Sequence, residues 1–143
     1  MGKSKFLLLP FLVIVSVEGC SKLETSTPPT ELKMENIFQQ ALADEFTSER
    51  EVVVSYVEIP PNTTMERHWH PGEEFHYYLE GRVEIAIDGE PSIFGTPGAV
   101  GHVQYKKMHT AITGKEGERI VVFRVHTKGE PVRYLEGEGT QEK

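Results

Sequence analysis

The stretch that decides the fold is HWHPGEEFHYYLEG, residues 68–81, in which two histidines flank a tryptophan and a Pro-Gly pair precedes two glutamates. Side chains alternate between the two faces of a strand, so His68 and His70 point to one face. The Pro71-Gly72 turn then lets Glu74 begin the neighbouring strand beside them. Two imidazoles and one carboxylate suit a divalent transition metal, so the stretch predicts a metal site.

The chain around this stretch predicts an antiparallel barrel or sandwich, because short β-rich runs alternate with turn residues. The predicted strands are Val52–Ile59, Thr64–His68, Glu74–Leu79, Val83–Asp88, Ser92–Phe94, His102–Lys106, Thr110–Thr113 and Ile120–Thr127. Turns are expected between them wherever glycine, proline or asparagine cluster, including Glu80-Gly81 and Gly114 to Gly117. The pattern predicts an all-β domain.

Residues 62–81 closely resemble the first motif of the cupin superfamily, G-x5-H-x-H-x3-4-E-x6-G. Gly81 matches the last position, as His68, His70 and Glu74 match theirs, while Asn62 stands at the leading glycine. Asparagine also tolerates a left-handed turn conformation. The resemblance implies a cupin barrel, which is an antiparallel double-stranded β-helix of the jelly-roll type.

The second cupin motif, G-x5-P-x-G-x2-H-x3-N, falls on Gly98 to Thr113 and is degraded. Gly98 and His109 match, whereas Gln104, Lys106 and Thr113 replace its proline, second glycine and asparagine. The resemblance implies that His109 is the fourth ligand, with a different loop before it. It also implies a divalent metal, Fe or Mn ahead of Zn, Ni or Cu, although nitrogen and oxygen ligands alone do not identify the ion.

Other polar residues are candidates for the same cavity. His76 and Tyr78 share the inward parity of Glu74, so we take them as candidate catalytic or proton-transfer groups; the alternative for His76 is a solvated position at the barrel mouth. Tyr56 would also face inward if Val52 and Val54 did. Trp69 is expected to pack or to form a dimer contact, and three side chains are expected to pack between strands: Phe75, Tyr77 and Leu79. His102 and His126 are expected on the surface.

Residues 1–19 predict a bacterial lipoprotein signal. Lys3 and Lys5 precede an apolar run from Phe6 to Val17, which is too short to span a hydrocarbon core of roughly 30 Å. Gly19 then precedes Cys20, the chain's only cysteine, which is the expected site of acylation. The alternative is an ordinary secretory signal. An acylated Cys20 would place the protein in the bacterial cell envelope, anchored in a lipid bilayer and facing the periplasm or the exterior.

The domain organisation expected after the signal has four parts. Residues 20–33 form a lipidated tether, 34–50 an N-terminal arm with a short strand or helical turn, 51–127 the barrel, and 128–143 a C-terminal tail. The formal charge of −7 provides no basic patch for phosphates, so no nucleic-acid partner is expected.

Three functions remain open at the level of sequence. A metal-dependent oxygenase or isomerase would act on a small organic molecule. A non-catalytic module would hold a small ligand or the metal itself at the membrane surface. A third option is a barrel kept for assembly, with a homodimer formed through edge strands.

Overall fold

The computed structural model describes residues 26–139, and within that range the chain is built almost entirely of strands. The eight strands are β1 (Lys33–Ala41), β2 (Arg50–Ile59), β3 (His68–Trp69), β4 (Gly72–Ile87), β5 (Ile93–Gly95), β6 (Val100–Val103), β7 (His109–Thr127) and β8 (Tyr134–Leu135). Over these residues, no helix has the length and apolar character needed to cross a membrane.

Two long strands, β4 and β7, form the frame of the barrel. The first part of β4 pairs with the last part of β7, from Gly72 opposite His126 to Gly81 opposite Glu118, and the remainder pairs from Val83 to Ile87. Strands β1, β2 and β6 extend one half of this ladder, while β3, β5 and β8 extend the other. The antiparallel double-stranded β-helix predicted from the sequence is therefore confirmed.

The turns predicted at Glu80-Gly81 and Gly114 to Gly117 do not end their strands. They form irregularities where the register between β4 and β7 shifts, so each long strand continues past them into the other half of the barrel. Gly81 has a φ of 85°, and a Cβ there would lie 2.1 Å from the carbonyl oxygen of Gly117. Gly81 and Gly117, which the sequence placed in turns, are needed instead where two backbones approach each other closely.

The two motif glycines missing from the sequence are replaced by residues in the same unusual conformation. Asn62 has a φ of 53° and Lys106 a φ of 58°, and no other non-glycine residue among 26–139 has a positive φ. Asn62 thus adopts the left-handed conformation expected for it. Lys106 adopts it too, and its amide donates to the carbonyl of His70 at 3.1 Å. The degraded second motif therefore keeps the backbone bend that its glycine usually provides.

The inward face of β2 carries the odd-numbered residues, with Val53, Val57 and Ile59 buried. The expectation that Tyr56 faces inward together with Val52 and Val54 was wrong, because the even-numbered residues of β2 face outward. Tyr56 lies on the outer face of the barrel, beside Lys33. The hydrophobic core is built on the inner face and includes Val83, Ile85, Ile120 and Val122.

Segments outside residues 51–127 also take part in the sheet. Strand β1 pairs with β2 along its length, and β8 pairs with β3. Pro29 is buried and Ser26 lies within reach of Arg119, so the described part of the expected tether lies against the barrel. The expected signal, Cys20 and residues 140–143 lie outside the described residues, and the domain boundaries stay predictions.

Candidate metal centre

Three histidines from distant parts of the chain converge inside the barrel. His68 lies on β3, His70 follows it, and His109 begins β7 directly opposite His68. Each offers a ring nitrogen, and the three nitrogens lie within 4.8 Å of one another. All three side chains are buried. The parity that placed His68 and His70 on one face and the motif spacing that added His109 thus lead to one cluster.

The outer ring nitrogens of these histidines are fixed by the backbone. His68 Nδ1 contacts the carbonyl oxygen of Glu66 at 2.7 Å, His70 Nδ1 that of Val132 at 2.6 Å, and His109 Nδ1 that of Lys107 at 2.9 Å. A carbonyl only accepts, so each Nδ1 carries the proton and each Nε2 keeps its lone pair. This is the tautomer that a metal-binding histidine adopts when its second nitrogen donates to a carbonyl.

The Nε2 atoms of these histidines are arranged in a way that suits binding of a cation. His70 Nε2 is buried and has no hydrogen-bond partner among the described residues, and a carboxylate oxygen of Glu74 lies 2.8 Å away. Burial, followed by the nearby His109 and His70, lowers the pKa of His68 to about 3, so its ring stays neutral. Neutral imidazoles with a free lone pair are what a divalent ion needs.

Glu74 lies at the edge of the cluster and is already held by other side chains. Its Oε2 accepts from Arg124 Nε at 2.6 Å, and its Oε1 contacts His76 Nε2 and lies 3.6 Å from His109 Nε2. Burial opposes its ionisation, but the adjacent imidazole of His70 and the guanidinium of Arg124 hold the pKa of this carboxyl well below its usual value. Glu74 is therefore an anion beside the three histidines, within reach of an ion bound there.

His76 and Tyr78 form a short chain behind Glu74. His76 Nδ1 lies 3.2 Å from the Tyr78 hydroxyl, and its Nε2 faces Glu74. His76 is buried in the cavity wall, so the alternative of a solvated mouth position does not hold. Tyr78 does not line the cavity; its ring packs where Gly95 and Gly101 leave room, and a Cβ on Gly101 would lie 2.5 Å from its hydroxyl. Tyr78 thus contacts His76 from the side away from Glu74 and helps to fix the orientation of its ring.

A cavity of about 290 Å³ extends from the histidines into the barrel. Its walls are mainly apolar and include Val57, Ile85, Ala111 and Ile120. This volume suits a small organic molecule. Asn36 of β1 also lines it, which means that the N-terminal arm contributes to the site.

The charged cavity residues Arg124 and Glu118 of β7, like Arg133 of the C-terminal segment, were not identified from the sequence. Glu118 and Arg124 lie on the inward face of β7, one on each side of the apolar residues Ile120 and Val122 on that same face. Arg124 also donates to Ser55 Oγ at 3.0 Å. Charged residues on the apolar parity of a strand would have been the signal, because burial of an ionisable side chain needs a reason.

Of the other side chains considered in the sequence analysis, some are buried in packing contacts and some are exposed. Trp69 is buried and stacks on Tyr134 at a centroid distance of 4.4 Å, which agrees with its expected packing role. His102 lies on the surface as expected, bound to Glu73. His126 was expected there as well, but it is fully buried and contacts the carbonyl of Pro131 at 2.9 Å. The remaining three side chains, expected to pack between strands, are exposed on the outer face: Phe75, Tyr77 and Leu79.

Comparison with known proteins supports the same fold. Residues 55–122 match the family model described as a cupin domain. An RmlC-like cupin family protein from Methanocaldococcus jannaschii with a double-stranded β-helix fold is 10% identical, with 69% of this chain and 84% of that chain covered and a TM-score of 0.56. No curated protein matches the chain.

Two further structures are enzymes by name. DMSP lyase DddQ from Ruegeria pomeroyi is 18% identical at a TM-score of 0.55, with 73% of this chain covered. Oxalate decarboxylase from Bacillus subtilis, which has Mn(II) centres, is 20% identical at a TM-score of 0.56, with 76% of this chain covered.

This chain spans only part of those enzymes. It covers 60% of the DddQ chain, 44% of the chain in another DMSP lyase structure, and 30% of the oxalate decarboxylase chain. At these identities the likeness concerns the fold. Residues 55–122 therefore match a cupin domain, and this chain shares the double-stranded β-helix fold with the cupin family structure.

Proposed function

We propose that this protein is a metal-dependent cupin enzyme of oxygenase or isomerase type that acts on a small organic molecule inside the barrel. The observation that carries the proposal is the convergence of three buried histidine side chains, each with its Nδ1 on a backbone carbonyl, beside the ionised Glu74. His68, His70, Glu74 and His109 would hold the ion, and Fe or Mn ahead of Zn, Ni or Cu is the expected metal. When bound, such an ion polarises a ligand oxygen as a Lewis acid.

The chain's own residues would orient the ligand and exclude water. The apolar walls remove water from the reacting end, which strengthens the electrostatic interactions there. Arg124 keeps Glu74 ionised and oriented, since it donates to Oε2 while Ser55 supports the guanidinium. His76 would hold a proton beside Glu74, with Tyr78 behind it.

A non-catalytic module that holds a small ligand or the metal is the second candidate. One observation favours it: both ring nitrogens of His76 are already engaged, by Glu74 and by Tyr78, which leaves none free to exchange a proton with a ligand. The two functions share the metal centre and differ in turnover.

The expected lipid anchor completes the proposal. Acylation of Cys20 would hold the protein on a bilayer in the bacterial cell envelope, facing the periplasm or the exterior. The expected signal and the chain's single cysteine support this location. A homodimer stays a prediction that oligomeric state in solution would test.

The experiment that tests the metal centre is elemental analysis of the full-length protein beside a His68→Ala, His70→Ala double variant. We expect close to one equivalent of Fe or Mn in the parent and loss of nearly all of it in the double variant. The matched control is His102→Ala, a surface histidine bound to Glu73, which should retain the metal. Absence of metal from the parent even after reconstitution would refute the metal centre.

Turnover separates the two candidate functions. Oxygen consumption and product formation would be followed in metal-loaded protein with catechols, flavonoids, diketones and sugars. DMSP and oxalate, the compounds named for two structural relatives, would be added to the panel. Turnover that depends on His109 would support the enzyme. Ligand binding by thermal shift without any turnover would favour the binding module.

A further inference from the structure

The cavity contains a carboxyl group that the proposed metal centre does not use. Glu118 is 1% exposed, and both of its carboxyl oxygens are buried without a hydrogen-bond partner among residues 26–139. It lies on the inward face of β7 and lines the same cavity as the three histidines. A buried carboxyl without a partner costs stability, because its lost hydration is not replaced. Something other than the fold is needed to explain its position.

Glu118 lies at the end of the cavity away from the histidines. Along β7 it is six residues before Arg124, or about 20 Å of strand. Arg124 pairs with Glu74 of the metal centre, whereas Glu118 pairs with Gly81 on β4 and Ile59 on β2. Between these two polar ends the cavity wall is apolar, with Val57, Ile120 and Val122 among its residues. The cavity therefore has two polar ends joined by an apolar middle.

The environment of Glu118 favours its neutral form. Burial raises the pKa of this carboxyl to about 8, and no cation in the described part of the chain opposes the effect. The phenol of Tyr78 lies in the same region, and its own pKa is raised by burial and by Glu118. A neutral carboxyl can donate one hydrogen bond and accept another. A ligand hydroxyl or carbonyl oxygen would satisfy it.

The opposite end of the cavity favours an anion. Arg124 and Glu74 form a buried pair of opposite charge, so a divalent ion held by the histidines would leave an excess of positive charge there. A carboxylate is the common organic group that matches such an end. The two ends together describe an elongated organic acid that carries a neutral oxygen group at its far end.

We propose that Glu118 is a specificity-determining residue, which hydrogen-bonds a hydroxyl or carbonyl oxygen at the end of the ligand remote from the histidines. This inference rests on the proposed metal centre and adds the class of ligand to it: a small hydroxy or oxo acid with an apolar middle. The uncompensated burial of Glu118 in the free protein is relieved when that ligand binds.

Calorimetric titration of the Mn(II)-loaded full-length protein tests the proposal. The probes are straight-chain carboxylic acids of increasing length that carry a terminal hydroxyl, with the matching unsubstituted and terminal-amino acids as comparisons. At the best length we expect the hydroxy acid to bind about tenfold more tightly than the unsubstituted acid, the worth of one buried hydrogen bond.

Two variants identify Glu118 as the source of this preference. Glu118→Gln still donates and accepts hydrogen bonds and should keep most of it, while Glu118→Leu should abolish or reverse it. Both variants should bind one equivalent of Mn(II), since Glu118 is remote from the ligands. Glu118→Leu should also melt at the same or a higher temperature than the parent, which shows that the lost preference is not a loss of folding.

Several outcomes would overturn the inference. They are equal affinity for hydroxy and unsubstituted acids, a preference that survives in Glu118→Leu, tighter binding of the amino acids, or binding of no acid by protein that holds its Mn(II). In those cases the metal centre would still stand. Failure to bind Mn(II) at all would instead refute the proposed function, and this inference with it.

Discussion

Glu118 and Arg124 occupy the same face of β7, yet they differ in how their burial is compensated. Arg124 donates to Glu74 and to Ser55, so both members of that ion pair are satisfied. Glu118 has no such partner in the part of the chain that the structure describes. The difference leads to separate predictions, one for the pH dependence of stability and one for the cost of removing a charge.

The pH dependence of stability should carry the signature of Glu118. In the folded protein its pKa is about 8 against an ordinary value of 4.5, so between these values the folded state binds more protons than the unfolded state. The stability that comes from preferential protonation of Glu118 in the folded state is therefore fully present below pH 4.5 and is lost as the pH rises through about 8. The phenol of Tyr78, the ionisable group facing it, has a raised pKa and stays neutral in this window.

The check is urea unfolding of metal-free protein from pH 5 to 8.5, beside Glu118→Gln, whose amide does not titrate. The difference in unfolding free energy between parent and variant should shift steadily against the parent as the pH rises. A difference that is constant with pH would show that Glu118 is ionised in the folded protein.

Removal of Arg124 should be costly. Arg124→Met leaves the buried Glu74 without its strongest donor, and breaking a buried ion pair on one side typically costs about 3–5 kcal/mol. Chemical unfolding at neutral pH would measure it. The matched control is Arg67→Met, whose partners Asp88 and Glu136 are exposed, and a much smaller loss is expected there. Equal losses would mean that the buried pair has no special role.

At the scale of elements, Tyr78 depends on two glycines in neighbouring strands. A Cβ on Gly95 of β5 would lie 2.2 Å from the Tyr78 ring, whereas a Cβ on Gly114 would meet nothing within 4 Å. Gly95→Ala should therefore destabilise the protein by about 1–3 kcal/mol, while Gly114→Ala should be close to neutral. Thermal unfolding would compare them, and an equal melting temperature for both variants would contradict this account of Tyr78.

The sequence predicted local pattern well and long-range continuity poorly. The parity of His68 and His70 follows from the geometry of a strand, so their shared face could be expected. The continuation of β4 past Gly81 could not, because a glycine in a tight turn and a glycine at a backbone crossing have the same local preference. The burial of His126 likewise depends on Pro131, which the chain brings over it only after β7 ends.

The candidate site was predicted to the extent that it follows the motif spacing. His109 could be placed in this way, although Lys106 stands where a glycine is usual. Arg124 and Glu118 lie outside the motifs, and their parity became meaningful only when the register of β7 against β2 was known. Sequence pattern identifies which residue types could act together, while the pairing of strands decides which of them meet.

At the scale of the whole molecule, the C-terminal segment returns to the metal centre. The carbonyl of Val132 holds His70 Nδ1, and Tyr134 stacks on Trp69, the residue between the two histidines. A chain that ends at Lys128 should therefore bind Mn(II) about 10–100-fold more weakly, as is typical when a group that orients a metal ligand is lost. Titration of the purified proteins would measure this.

A point variant keeps this prediction independent of truncation. Tyr134→Ala removes the stacking on Trp69 and should weaken Mn(II) binding in the same direction. Tyr134→Phe keeps the ring, loses only the contact of the hydroxyl with Glu130, and should bind like the parent. Unchanged affinity in both the truncated chain and Tyr134→Ala would show that the segment does not position His70.

The contact between Ser26 and Arg119 also determines how far the barrel could stand from a membrane. Arg119 donates to Ser26 and to the carbonyl of Thr27, so the chain is fixed to the barrel from that point. Only six residue steps separate Ser26 from Cys20, a reach of about 20 Å when fully extended. An acylated Cys20 would hold the Arg119 end of the barrel close to the lipid surface. The protein would then have a defined orientation on the bilayer, unlike a domain on a long flexible linker.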